Sequence, residues 1–431
     1  MAEPANENRR SASYVEVLTI PGFRFLWFGQ IFSQLAVNTL LFVLALRLYQ
    51  TSGTNTAVTG LFLAYGIPAV LFGMIAGTAV DHLDKRRVLM YCDITRAVLV
   101  FLLFFISGNI FLVYLVTLVN AVITQFYVPA EAPIIPQLVT GDRLVPANSL
   151  FSFTYYSSLA LGSVLAGPLF RLFGAHWIFV LLSLFFAAAA ILESRLPSMA
   201  DGVLGFKTVL AFETKHVITK IWNKLIAGLR YVRSSKILFD SLLLLTGTQI
   251  IFMMLGTLGP GFADKVLSID IRDASLLIVG PAVAGILIGT LWVGNFGSRF
   301  HRQQLIKVGV IAAGTALLLI SLIVRVRGLV ALSLYFPKNA TLAVSFILFF
   351  VLGFANSLLD VPANSLLQES ATGSMRGRVY GMLTASVGGV GILPVFLSGI
   401  LADTVGVGNV VFLLGLLIFV YGVYRIKYNK S

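Results

Sequence analysis

A single cysteine in 431 residues, Cys92 inside an apolar run, excludes an internal disulfide and a thiolate metal cluster. Charge is scarce as well. With 11% charged and 58% hydrophobic residues, the chain has too little polar surface to cover itself in water, so a bilayer is the expected solvent. The four histidines, His82, His176, His216 and His301, are scattered between apolar runs and none neighbours another, so no metal site is expected. No glycine-rich loop ends in Gly-Lys-Ser/Thr, no His-Glu-x-x-His occurs and no serine nucleophile elbow is found. Direct ATP use, zinc hydrolysis and acyl-enzyme chemistry thus lose their usual carriers, and neither an enzyme nor a cofactor is expected. The first 20 positions hold Arg9 and Arg10 before Ser-Ala-Ser-Tyr-Val-Glu-Val, with no small-residue cleavage pattern, and read as a cytoplasmic tail.

What is present is apolar length. Glycine (39) and phenylalanine (34) are abundant, which suits closely packed spanning helices with lipid-facing rings. Runs of about 20 apolar residues cross about 30 Å of hydrocarbon as helix, and twelve occur: 23–49, 57–80, 88–107, 110–136, 147–172, 176–194, 237–259, 274–297, 305–324, 342–365, 379–403 and 407–424. The expected fold class is therefore an all-α integral membrane protein. Its cations sort by loop rather than on one face, so the net charge of +13 does not point to nucleic acid. With the N-terminus inside, 23 of the 31 Lys and Arg fall on the inner side, seven on the outer side, and Arg96 lies within a run. That split places both termini and the middle loop in the cytoplasm of a cell with this protein in its inner or plasma membrane.

The middle loop divides the runs six and six. The expected organisation is a tail (1–22), a six-helix bundle (23–195), a linker (196–236), a second six-helix bundle (237–425) and a short tail (426–431). Cations from Lys207 to Lys236 alternate with apolar residues at helical spacing, as in an amphipathic helix on an anionic leaflet. The halves also repeat weakly. Gly73-x-x-x-Gly77-Thr78 recurs as Gly285-x-x-x-Gly289-Thr290, and Val128-Pro129-Ala130 recurs as Val361-Pro362-Ala363. Such glycine pairs let two helices approach closely along one face.

Ionisable residues inside the runs are the next signal, because each costs about 2.5–3.5 kcal/mol at mid-membrane unless paired or hydrated. Asp93 and Arg96 lie three apart, one face of a helix, and fit either a structural ion pair or a coupling pair. Glu131 follows Pro129, and Asp360 precedes Pro362, where a proline opens the backbone and a water-lined cavity is plausible. Asp360, then Glu131, Asp93 and Arg96, are the proton-coupling candidates, with the proton gradient as energy source. Neutral polar residues mark a cavity or bond helix to helix: Gln34 and Asn38 on one face, Asn120, Tyr155, Tyr156, Gln249 and Asn356.

The stretch Gly77-Thr-Ala-Val-Asp81-His-Leu-Asp-Lys85-Arg86-Arg87 resembles the signature loop between helices 2 and 3 of the major facilitator superfamily, with Asp84 where that family usually has a glycine. Val128-Pro-Ala-Glu-Ala-Pro-Ile-Ile-Pro136, Ala147-Asn148-Ser149-Leu150, Gln368-Glu369 and Arg376-Gly377-Arg378-Val379 are similar to the macrolide-efflux and enterobactin-exporter-like branch. Ser163-x-x-x-Gly167-Pro168 loosely resembles the antiporter motif, with Arg171-Leu172 where small residues would follow. The resemblance implies twelve transmembrane helices in two pseudo-symmetric six-helix bundles, with helices 1, 4, 7 and 10 lining a central cavity and Asn38 its first contact. It implies a gating loop in which Gly73, Gly77, Asp81, Lys85, Arg86 and Arg87 latch the cytoplasmic side. The expected protein is a monomeric secondary transporter that exports an amphipathic small molecule in exchange for protons. A facilitator or importer of a lipid-like or metabolite substrate, and a transport-inactive membrane receptor or scaffold, stay open.

Overall fold

The computed structural model describes residues 14–81, 83–198, 235–328, 338–370, 379, 382–383 and 386–428. The linker helix expected within Lys207–Lys236 lies mostly outside these residues, as do Arg376 and Arg378 and the side chain of Asp81. The longer helices are α1 (Pro21–Ser52), α2 (Asn55–Asp81), α3 (Lys85–Ile106), α4 (Ile110–Glu131), α5 (Leu144–Glu193), α6 (Lys236–Gly261), α7 (Gly280–Phe296), α8 (Arg302–Gly328), α9 (Lys338–Ser370), α10 (Ile392–Val405) and α11 (Val407–Tyr428). Among the described residues, ten helices are long and apolar enough to cross a membrane, and no strand occurs. The chain is an all-α, multi-pass membrane protein.

Local signals set the helix ends. Asp84, the departure from the family's glycine, is the N-cap of α3, its carboxylate accepting from the Arg86 amide at 3.2 Å. Asn109 does the same for α4 through Leu112, and Ser235 for α6 through Leu238. Gly53 adopts φ 69°, and its N–H returns to the Tyr49 carbonyl at 2.8 Å, closing α1 in a turn that a larger side chain would strain. The runs 147–172 and 176–194 form one element that turns at Gly174, whose φ of 73° only glycine takes readily, so α5 has two arms. The N-terminal tail is partly ordered into the fold: Tyr14–Leu18 is a helical turn, and Val17 is buried with Phe23, Leu26 and Leu89. An apolar side chain facing the bundle explains why this part of the expected tail docks.

Helices α1 to α5 pack on one another, α1 against α5, α2 against α4 and α3 against α5. Helices α6 to α11 do likewise, led by α7 with α9 and α8 with α9 and α11. The repeated glycine pair behaves differently in the two halves. A Cβ at Gly285 would overlap the Phe350 carbonyl, and one at Gly289 would lie 2.9 Å from Ser357 Cβ, so α7 and α9 touch there. At Gly73 the nearest neighbour is Gln125 Oε1 at 3.4 Å, and at Gly77 nothing lies within 4 Å. Among the described residues, the close approach expected along Gly73 and Gly77 is therefore not seen in this conformation. The signs of two substitutions should consequently differ. Gly353→Leu, whose Cβ would overlap the Ala282 carbonyl, should lower the melting temperature through overpacking of about 1–3 kcal/mol. Gly77→Ala should raise it, by up to about 1 kcal/mol of recovered helix propensity. Thermal unfolding in detergent checks both.

Candidate functional site

A polar cluster sits inside the first half, among α1, α3, α4 and the second arm of α5. Arg96 and Asp93 are 1% and 0% exposed and pair at 2.9 Å (Nη1 to Oδ1). Ser33 of α1 donates to the same Asp93 oxygen at 3.0 Å and accepts from Arg96 at 3.2 Å. The second guanidinium nitrogen donates to Thr124 Oγ1 on α4 at 3.0 Å. The guanidinium lies over the Tyr127 ring at 4.7 Å and near the Phe186 ring at 5.8 Å, a stacked arrangement that holds a delocalised cation away from water. Tyr127 in turn donates to Glu193 Oε1 at 2.9 Å. Glu193 is fully buried beside Asp93, with Gly29 of α1 leaving room for its stem. Glu131, 8% exposed at the end of α4, lies near enough to feel both Asp93 and Arg96.

Three buried carboxylates thus share one cation. Asp93 Oδ2, Glu131 Oε1, Glu193 Oε2 and Arg96 Nε have no hydrogen-bond partner. Unpartnered polar atoms are costly in a low-dielectric interior, so each of these calls for a water, a proton or an ion as its partner. The structure brings together Asp93, Arg96 and Glu131 from the expected set and adds Glu193. That residue was missed because Glu193 and Ser194 close an apolar run, where a carboxylate normally reaches water. Asp360 stands apart on α9, half-buried, with Asn364 one turn on donating to it at 3.1 Å.

The cavity candidates scatter. Asn38 donates to the Gln34 carbonyl at 2.9 Å, and its Cβ abuts Gly162 where α1 crosses α5, so part of this side chain serves helix packing. Asn120 is buried within α4. Tyr155 and Tyr156 are exposed and meet edge to face at 5.4 Å, and Gln249 is exposed on α6. Asn356 lines a different cavity, between α6, α8, α9 and α11.

At the Lys85 end, the loop cations hold the first half to itself. Arg86 donates to the Ser194 carbonyl at the C-terminus of α5, and Arg87 pairs with Asp84 at 3.4 Å. Lys85 opens α3. Glu369, from the branch-like motif, pairs with Arg302 through two bonds of 2.5 and 2.8 Å on the second half. Contacts between the halves gather at the opposite, Asn55 end. The Asp403 carboxylate of α10 accepts from the Asn55 amide and Nδ2, each at 2.8 Å, and from the Thr56 amide and hydroxyl at 2.8 and 2.6 Å. It thereby caps the first turn of α2 from across the interface, where free amides and the helix dipole favour an anion. Tyr49 donates to Asp264 at 3.1 Å, and Arg171 pairs with Asp273 at 2.9 Å. The Gly167 amide donates to Ser275 at 3.0 Å, so the segment resembling the antiporter motif is one side of this seam.

Two helical halves joined at one end, with ionisable groups buried inside them, have the architecture of a two-bundle membrane transporter. Residues 26–336 match the Major Facilitator Superfamily, and the chain belongs to that family. It is 24% identical over 412 residues to a macrolide efflux protein A of Streptococcus pyogenes, covering 92% of this chain and 93% of the relative. It is 23% identical over 368 residues to the lysophospholipid transporter LplT of Photorhabdus laumondii, covering 84% and 83%. A bacterial homologue of the iron transporter ferroportin, solved in an inward-facing state, superposes with a TM-score of 0.72 at 14% identity, over 96% of this chain and all of that one.

Proposed function

We propose that this protein is a secondary active transporter that works by alternating access and exports an amphipathic small molecule in exchange for protons. The observation that carries the reading is the set of Asp93, Glu131 and Glu193 opposed by Arg96 alone. Fully ionised, the set would leave two uncompensated negative charges among packed helices, and two protons balance them. Proton arrival and departure at this set would change what α1, α3, α4 and α5 hold together, which is how a gradient drives a two-state bundle. Relatives named for macrolide efflux and for lysophospholipid transport both handle amphipathic molecules, which supports that substrate class.

The break at Gly174, together with α10, brings the spanning segments to twelve, in two bundles joined by residues 196–236. By the positive-inside count the Asn55 end faces outward and both termini lie in the cytoplasm. The seam through Asp403 then closes the outer side, while on the inner side the cations beside Gly77 bind only their own half among the described residues. Those cations are poised to meet the second half when the carrier reverses.

The test is export from proteoliposomes under an imposed pH gradient, with a labelled macrolide and a fluorescent lysophospholipid as probes. Glu193→Gln should cut gradient-driven export at least tenfold while leaving exchange without a gradient. If Glu193→Gln, Asp93→Asn and Glu131→Gln all keep full gradient dependence, the cluster is not the coupling site. Gradient-independent flux in the parent would instead make it a facilitator, and no flux with either probe would favour a receptor.

A further inference from the structure

The second half holds a cavity of about 270 Å³ between α6, α8, α9 and α11. Its wall is almost wholly apolar, with Leu244, Ile251, Phe252 and Leu352 among the lining residues. The polar exceptions are few. Thr248 already donates to carbonyls of its own helix, and Asn356 and Tyr421 complete the set. No carboxylate lines the space.

One turn beyond Tyr421 on α11 stands Arg425, 4% exposed. Its guanidinium has only long bonds to neutral partners, 3.4 Å to the Tyr421 hydroxyl and 3.5 Å to Gln303 Oε1, and its Nε has none. It takes part in no ion pair among the described residues. A buried guanidinium without a counter-charge is the feature that an anionic group completes.

The corresponding space in the first half shows what normally fills it. Between α1, α3, α4 and the second arm of α5, the room is taken by Arg96 and the Tyr127 and Phe186 rings, and the cation there has Asp93. In the second half no protein side chain fills the corresponding room, and the cation there has no carboxylate partner among the described residues.

We propose that this cavity binds a single-chain anionic amphiphile, with Arg425 holding the head group and the apolar space taking the chain. Its volume equals about nine waters at the liquid's 30 Å³ each. A methylene group is of similar size, so a segment of one chain is enough to fill it. The same chemistry occurs in free fatty acids and in anionic lysophospholipids, and the occupant is either a cargo molecule or a resident lipid. The site does not depend on the proton-coupling reading, because its binding is measured without a gradient.

The test uses the full-length protein in nanodiscs, titrated with labelled palmitate, lysophosphatidylglycerol and the neutral monopalmitoylglycerol. The parent should bind both anionic probes at one per chain and the neutral one at least tenfold more weakly. Gly247→Phe should abolish binding of all three. Its Cβ meets nothing within 4 Å, so the ring enters the cavity and not a neighbouring backbone. Leu243→Trp, at the exposed rim, provides a second obstruction should the first variant fold poorly. Arg425→Gln should erase the preference for the anionic probes and leave the neutral one unchanged. In sealed proteoliposomes of the same protein, movement of bound label across the bilayer identifies cargo and its retention identifies a resident lipid; both follow from binding at this site. Equal binding of neutral and anionic probes to the parent overturns the proposal. So does equal competition by a two-chain phospholipid, or undiminished binding in both obstructed variants.

Discussion

Arg96→Leu is expected to destabilise the protein by about 3–5 kcal/mol and to abolish gradient-driven export, the largest effect of any single change in the first half. The guanidinium is the only cation inside the cluster among the described residues, and its removal leaves Asp93 buried with Ser33 donating to it and the Glu193 carboxyl beside it. It also empties the space over the Tyr127 and Phe186 rings, so a packing loss adds to the electrostatic one. Stability and function separate in the double variant. Arg96→Leu with Asp93→Asn removes both charges, and replacing a buried pair by neutral residues is often close to neutral in stability. Thermal unfolding should therefore recover most of the loss while export stays absent. Full export in the double variant would reduce the pair to a structural brace. A melting temperature for Arg96→Leu equal to the parent's would show that the guanidinium is not the charge that holds the cluster.

Asp403→Ala should release the seam at the Asn55 end. The carboxylate receives four hydrogen bonds from the first two residues of α2, and all four are lost when the halves part there. Asp403 is half-exposed and water competes for it, so a net loss of about 2 kcal/mol is the reasonable magnitude, equivalent to about a thirtyfold shift in the equilibrium between the two conformations. Spin labels at Thr51→Cys and Lys265→Cys, both exposed and on opposite halves, read this directly. The native Cys92 is buried and does not compete for label. The parent should give one short distance and the Asp403→Ala variant a second, longer population. An unchanged distribution would mean that Tyr49 with Asp264, and Arg171 with Asp273, hold the seam without Asp403.

Together these two changes address the two things a carrier of this kind needs, a group that responds to the gradient and a seam that opens. The loop from Gly73 to Arg87 carries the family resemblance, yet in this conformation its described cations bind their own half, Arg86 to Ser194 and Arg87 to Asp84. On the proposed cycle, its partner surface forms when the Lys85 end closes. Apart from Gly167 in the antiporter-like segment, the inter-half bonds seen here belong instead to residues with no motif to mark them.

The amino-acid sequence by itself determined the solvent, the helices and the class. Apolar runs long enough to cross a bilayer, few charges, and cations sorted by loop depend on composition and spacing, which need no contact between distant segments. The same holds for Asp93 and Arg96, whose partnership across one helical turn is local. Only the tertiary structure decided which polar residues meet. Glu193 ends an apolar run as a solvated carboxylate would, and it is buried because Tyr127 and Gly29 close over it from other helices. Asp403 lies near a helix end like many surface acids, and it becomes a cap only because α2 begins opposite it. Arg425 counts in the sequence as one more inner-side cation, and it is an unpaired buried charge only because α8 and α11 pack around it. The glycine repeat follows the same logic: the sequence places both copies on helices, and the conformation decides that Gly285 and Gly289 are in contact while Gly77 is free. Helix formation is settled by neighbours in the chain. Burial and partnership are settled by residues tens to hundreds of positions away, and no single-chain pattern encodes which of them arrives.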